Sequence, residues 1–265
     1  MMKMGKGMAV LLALATGIGT AQAQDPREPT LFIASDSTAQ HYNADRYPQS
    51  GWGSFLGCVL TGARVDNRAI GGRSTRTFVS EGRWNRLLAD LRPGDGVLIQ
   101  FGHNDASDNK PERFADAETT YRQFLVSFIA DVRAAGATPV LLTPVARRSF
   151  ENGQAKADFP AYSAVVRQLA EMRGVPLVDL ERSSRTMLDQ VGYDAAASLY
   201  LHYAPGEAAP WPEGVSDDTH FSELGARRIA GLVADGLQAT PLAPYEAAER
   251  ADLTRATPLG SSACR

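Results

Sequence analysis

Ser37, Asn104, Asp217 and His220 lie in three short polar words: Ser35-Asp36-Ser37-Thr38, Gly102-His103-Asn104-Asp105 and Asp217-Asp218-Thr219-His220. A serine hydroxyl is a poor nucleophile until a base removes its proton in the transition state. His220 is the best base on offer, because a carboxylate three residues ahead can fix the tautomer of its imidazole. Asp217 is preferred for that role over its neighbour Asp218, whose side chain should point elsewhere. Either aspartate would also serve as the cap of a helix starting near Ser222. An acyl-transfer intermediate further needs donors aimed at its oxyanion. The candidates are the N–H of Ser37, the N–H of Gly72 in Ile70-Gly71-Gly72-Arg73-Ser74, and the side-chain amide of Asn104. Singly, each reads equally well as turn chemistry. Their order along the chain points to a serine esterase.

Such groups must converge on one edge of a scaffold. Leu31-Phe32-Ile33-Ala34 is a short apolar run suited to a strand buried on both faces, and residues 97–101 form the clearest central strand. Weaker strands are expected at 63–65, 138–143 and 175–178. Helices are expected over 52–60, 78–91, 162–172 and 222–237. The strongest helical pattern places Tyr121, Phe124, Leu125, Phe128, Ile129 and Val132 on one face, with Gly136 as the stop. Alternating strands and helices imply a parallel α/β sheet covered on both sides. Ligands of such sheets bind beyond the carboxyl ends of the strands, where all three words fall. Residues 192–216, rich in Pro, Gly, Tyr and Trp, are expected to form a long ordered loop.

The first residues stand apart. Lys3 and Lys6 precede an apolar run over 8–18, and Ala21-Gln22-Ala23 matches a small-x-small cleavage site. This is the pattern of a secretory signal peptide cleaved after Ala23, with a periplasmic or secreted product, and the run is too short for a membrane span. Residues 24–265 suffice for a single domain. The chain has a formal charge of −3 with scattered arginines, which gives no basis for nucleic-acid binding. Its two cysteines, Cys58 and Cys264, leave two readings open. Export permits a bridge, and the apolar surroundings of Cys58 suit a buried thiol. The sequence carries no signal for oligomeric state.

The combination of these words resembles the SGNH hydrolases, or GDSL esterase superfamily, from Leu31 to about Ala230. Three stretches are similar to rhamnogalacturonan acetylesterases of carbohydrate esterase family 12. They are the segment from Ala69 to Phe78, Phe101-Gly102-His103-Asn104-Asp105 and Asp217-Asp218-Thr219-His220-Phe221, joined by Tyr203-Ala204-Pro205-Gly206-Glu207. The resemblance implies a flavodoxin-like three-layer α/β/α sandwich. It implies Ser37 as nucleophile, Asp217 and His220 completing a triad, an oxyanion hole of Ser37, Gly72 and Asn104, and neither metal nor organic cofactor. The implied substrate is an acetylated polysaccharide, most closely pectic rhamnogalacturonan. One departure stands out: the family's first block reads Gly-Asp-Ser, and Ser35 replaces that glycine, which would be strained if the position needed positive φ.

Further residues are weaker candidates for substrate contact. Arg73 and Arg76 flank Gly72 and suit a uronate carboxylate. His103 adjoins Asn104, and Trp211, Tyr200 and Tyr203 are candidates for a stacking wall against sugar rings. Three rival readings remain. A lipase or thioesterase of the same superfamily would need a deep apolar acyl pocket. A metal-dependent phosphoesterase would use His103, Asn104, Asp105, Asp217 and His220 as ligands. A noncatalytic sugar-binding protein would bind without hydrolysis.

Overall fold

The computed structural model describes residues 1–2, 27–242 and 257–260. Almost all of the expected signal peptide, most of the tail after residue 240, and Cys264 lie outside the described residues. In chain order the elements are β1 (Thr30–Ala34), β2 (Arg64–Asn67), α1 (Thr75–Ser80), α2 (Arg83–Asp90), β3 (Gly96–Gln100), α3 (Arg122–Ala134) and β4 (Thr138–Leu142). A small hairpin of β5 (Phe150–Glu151) and β6 (Gln154–Ala155) follows, then α4 (Pro160–Arg173), β7 (Leu177–Val178), α5 (Leu180–Val191) and α6 (Tyr193–Ala196). The described chain closes with β8 (Tyr200–Tyr203), β9 (Val215–Phe221) and α7 (Glu223–Leu237).

Five strands form one parallel sheet in the order β2-β1-β3-β4-β7. Strand alternation divides the apolar residues between two cores. Leu31, Ile33, Leu98, Val140 and Leu142 face one side, where they meet Trp52, Phe55, Leu188, Ile229 and Val233. Phe32, Ala34, Val97, Ile99 and Leu141 face the other, against Phe78, Trp84, Leu125, Phe128 and Val165. A continuous apolar run is what a strand covered on both faces requires, so the result is a three-layer α/β/α sandwich. The strand order reverses between β1 and β3, the point at which sheets of this kind form a ligand-binding crevice.

The expected helix over 52–60 is replaced by two 3₁₀ turns, Trp52–Ser54 and Leu56–Cys58. Gly51, Gly53 and Gly57 make a continuous helix costly there, while Trp52 and Leu56 still reach the core. The span 78–91 is broken at Gly82 into α1 and α2. Residues 192–216 hold more regular structure than a loop, because α6, β8 and the start of β9 lie within them. That hairpin pairs antiparallel across a long separation, which local patterning does not reveal. Ser222 caps α7 by accepting from Gly225 N at 3.2 Å, so neither Asp217 nor Asp218 has that task. Cys58 is disulfide-bonded. No helix among the described residues is long and apolar enough to cross a membrane.

Candidate active site

β1 delivers Ser37 to the crevice through a turn shaped by its neighbours. Asp36 Oδ1 accepts from Thr38 N at 2.9 Å and from Thr38 Oγ1 at 2.8 Å. Underneath, Gln100 Oε1 at the end of β3 accepts from Ser35 Oγ at 3.1 Å and Trp52 Nε1 at 2.8 Å. Tyr42 OH donates to the Ser37 carbonyl at 2.9 Å. Asn152 is the one non-glycine residue with positive φ among the described residues, so Ser35 replaces the usual glycine without backbone strain. Its hydroxyl instead adds an anchor to β3.

The connections after β2 and β3 are fastened to each other. Gly71 N donates to Gln40 Oε1, and Gly72 adopts φ of 77°, a conformation that favours glycine. Asn104 Nδ2 donates one hydrogen to the Arg73 carbonyl at 3.0 Å, leaving its second for another acceptor. Asp105 Oδ1 receives Thr75 N at 2.9 Å together with the Thr75 hydroxyl, tying the first turn of α1 to the loop after β3. Gly102 permits the sharp exit from β3: its φ is 141°, and a Cβ would meet Pro144 Cγ at 2.5 Å.

The third word lies within β9, not after a strand as its sequence position suggested. In a regular strand, residues three apart face opposite sides. Here Tyr200 pairs with Phe221 and its neighbour Leu201 with Asp217, so Asp218, Thr219 and His220 are extra residues in a bulge. The bulge folds back on Asp217, whose Oδ1 accepts from Thr219 N at 2.7 Å and His220 N at 3.0 Å. Asp217 Oδ2 then lies 2.7 Å from His220 Nδ1, and His220 Nε2 lies 3.0 Å from Ser37 Oγ. An ionised carboxylate only accepts, so Nδ1 carries the proton and Nε2 is free to receive one from Ser37. Burial works to raise the Asp217 carboxyl, but the hydrogen bond and charge of His220 and the two backbone donors outweigh it and hold it down at about 2. Asp218 is engaged elsewhere: its Oδ1 meets Arg148 Nη1 at 3.0 Å and His202 Nε2 at 2.7 Å.

His103 requires a correction. Its side chain is only 4% exposed, and its ring packs on Phe159 with centroids 4.5 Å apart, so it offers no face to a sugar. Burial, then the charges of Arg147 and His220, push it down to about 3 and keep it neutral. Its 3.7 Å approach to Asp36 is therefore a contact between a neutral ring and a carboxyl that burial has itself pushed upward. Tyr200 is likewise a core residue, donating to the Ala146 carbonyl at 2.9 Å. Arg73 is half-buried between Glu81, at 3.1 Å, and the Gly71 carbonyl, at 2.8 Å. Arg76 Nε donates to the Phe114 carbonyl at 2.8 Å. Trp211 sits on the β8–β9 connection, its ring 5.2 Å from the Arg46 guanidinium. Gln40, Tyr42 and Gln100 were not singled out in the sequence, and Asp105 was read there only as a possible metal ligand, whereas it ties the loop after β3 to Thr75.

The crevice at the strand-order reversal, with serine, imidazole and carboxylate in series, belongs to an ester hydrolase. The chain is a member of the GDSL-like lipase/acylhydrolase family, whose model matches residues 36–228. It is 43% identical over 209 residues to the Bacillus subtilis protein named probable rhamnogalacturonan acetylesterase YesY, covering 78% of this chain and 92% of that one. It is 38% identical to rhamnogalacturonan acetylesterase RhgT of the same organism, covering 78% and 89%. Among solved structures, the Bacillus subtilis protein YxiM superposes with a TM-score of 0.70 at 26% identity. That match covers 83% of this chain and 58% of the YxiM chain. Axe2, an acetylxylan esterase from Geobacillus stearothermophilus, shares the fold with a TM-score of 0.57 at 21% identity, over 80% of this chain and 95% of its own.

Proposed function

We propose that this chain is an exported carbohydrate O-acetylesterase acting on acetylated rhamnogalacturonan through a Ser37–His220–Asp217 triad. The observation that carries the reading is the hydrogen-bonded series from Ser37 Oγ to His220 Nε2 and from His220 Nδ1 to Asp217 Oδ2. Ser37 Oγ attacks the acetyl carbonyl while His220 takes its proton, and Asp217 stabilises the imidazolium. The oxyanion is received by the N–H groups of Ser37 and Gly72 and by the second amide hydrogen of Asn104. His220 then protonates the departing sugar oxygen, leaving Ser37 acetylated. Water, deprotonated by His220, attacks the acetyl-serine, acetate leaves, and Ser37 regains its hydrogen.

The names of the two Bacillus relatives support the choice of polymer, since one is named a rhamnogalacturonan acetylesterase, the other a probable one, and both align over nearly their whole length. The charged start, apolar run and Ala21-Gln22-Ala23 support export, with residues 24–265 acting as one catalytic domain. The test is acetate release from acetylated rhamnogalacturonan and acetylated xylan, and p-nitrophenol release from long-chain p-nitrophenyl esters, by the wild type and Ser37→Ala. The wild type should favour rhamnogalacturonan, and the variant should release no acetate while keeping its circular dichroism. Turnover in folded Ser37→Ala sinks the mechanism, and a preference for xylan or long-chain esters sinks the substrate assignment.

A further inference from the structure

At the carboxyl edge of the sheet, the guanidinium groups of Arg113 and Arg147 have neither a carboxylate partner nor an acceptor for Nε among the described residues. Arg113 follows β3, and its Nη1 comes within 3.8 Å of where a Cβ on Gly72 would stand. Arg147 follows β4, with its guanidinium 4.9 Å from the centre of the Phe159 ring, the same ring that packs on His103. Its charge reaches Asp36, the residue before Ser37. In both arginines Nε is buried without a hydrogen-bond acceptor. Their neighbours are engaged: Arg73 with Glu81, Arg76 with the Phe114 carbonyl, and Arg148 with Asp218. Leaving buried guanidinium hydrogens unanswered is unfavourable. It is the more notable in a chain whose acidic residues outnumber its basic ones, 30 to 27.

Two such cations, one beside the oxyanion glycine and one on the β4 side of the nucleophile turn, suit an anionic ligand lying across the crevice. We infer that Arg113 and Arg147 bind carboxylates of uronic acid units adjoining the acetylated sugar, so that the site selects a polyanionic acetylated polysaccharide over a neutral one. The planar guanidinium can pair with a sugar carboxylate through two parallel hydrogen bonds, which a neutral hydroxymethyl group cannot accept in that form. The inference rests on the sugar acetylesterase reading above and names the groups that would give it its specificity.

The experiment compares kcat/KM for acetate release from acetylated rhamnogalacturonan and from the same polymer after its carboxyl groups are reduced to alcohols. The wild type should prefer the native polymer about tenfold or more. Arg113→Gln and Arg147→Gln should each cut that preference several-fold, and the double variant should bring it close to one. Arg64→Gln makes the same charge change at the amino edge of the sheet and should keep the preference. If the double glutamine variant fails to fold, Arg113→Lys with Arg147→Lys replaces it, and there the preference should fall partway. Equal wild-type rates on the two polymers, or a preference that survives loss of both arginines, overturns the assignment while leaving the acetylesterase intact. No acetate from either polymer, with p-nitrophenyl acetate still turned over, overturns the substrate reading and this inference with it.

Discussion

Asp217 and Asp218 are adjacent in the chain and share none of their side-chain partners. Asp217 faces the imidazole, whereas Asp218 is held by Arg148 and His202 and cannot take its place. Asp217→Asn is therefore expected to lower kcat on p-nitrophenyl acetate by about 10²–10⁴-fold, since the amide no longer fixes the productive tautomer. Asp218→Asn should leave kcat within a few-fold but lower the melting temperature, because Arg148, itself only 8% exposed, loses an ionic partner. Equal kinetic losses in the two variants would contradict this division. The ionised Asp217 also stabilises the fold. Its folded value of about 2 lies below the ordinary 3.8, so the contribution is complete above pH 3.8 and is lost as pH falls toward 2.

At the scale of elements, the site depends on polar ties between strand ends. Gln100 on β3 is the shared acceptor for Ser35 and Trp52, one from the nucleophile turn and one from the 3₁₀ segment behind it. Gln100→Ala strands both donors, at about 1–3 kcal/mol for each, and should lower both the melting temperature and kcat. Unchanged thermal unfolding in that variant would remove Gln100 from this role. Asp105 ties α1 to the loop after β3 and has a different pH signature. Burial raises it to about 7 against the bonds from Thr75, with the charge of Asp36 adding to the rise. Between pH 3.8 and 7 the folded chain thus keeps a proton that the unfolded chain has released, so stability from this group falls as pH rises through that window. Asp105→Asn can keep an oxygen facing Thr75 and should flatten the decline in melting temperature between pH 5 and pH 8. An undiminished decline would show that Asp105 is not its source.

For the molecule as a whole, two cores clamp one sheet whose strand order reverses beside the site. Phe128 on α3 lies in the core on the α1–α4 side, stacked on Trp84 with ring centroids 3.9 Å apart and 1% exposed. Phe128→Ala should cost about 3–5 kcal/mol in chemical denaturation. Because it touches none of the reacting groups, specific activity well below the melting transition should stay near wild type. A large kinetic loss at full folding would mean that the two cores position the crevice more tightly than the polar ties do. On the other face, α7 begins one residue after β9, so the cap at Ser222 and the burial of Ile229 and Val233 help hold the His220 bulge in place.

Much of this was legible in the sequence, for identifiable reasons. Buried strands such as 30–34 and 96–100 must be apolar on both faces, so their sequences stand out, and the residues following them fall at the ligand-binding edge. That Ser37, Asp217 and His220 could act together was suggested by residue type and local spacing, and the structure places them in one hydrogen-bonded series. What local spacing could not encode was long-range pairing. The β8–β9 hairpin and its bulge arise from contacts across many residues, and it is the bulge that turns His220 toward Ser37. The same limit hid Gln100, whose partners lie 65 and 48 residues away, and made the sequestered His103 read as an open contact. Residue types determined which reaction was available. The crossing of distant segments decided which side chains reach the crevice, because burial and hydrogen-bond partners are set only when the strands are assembled.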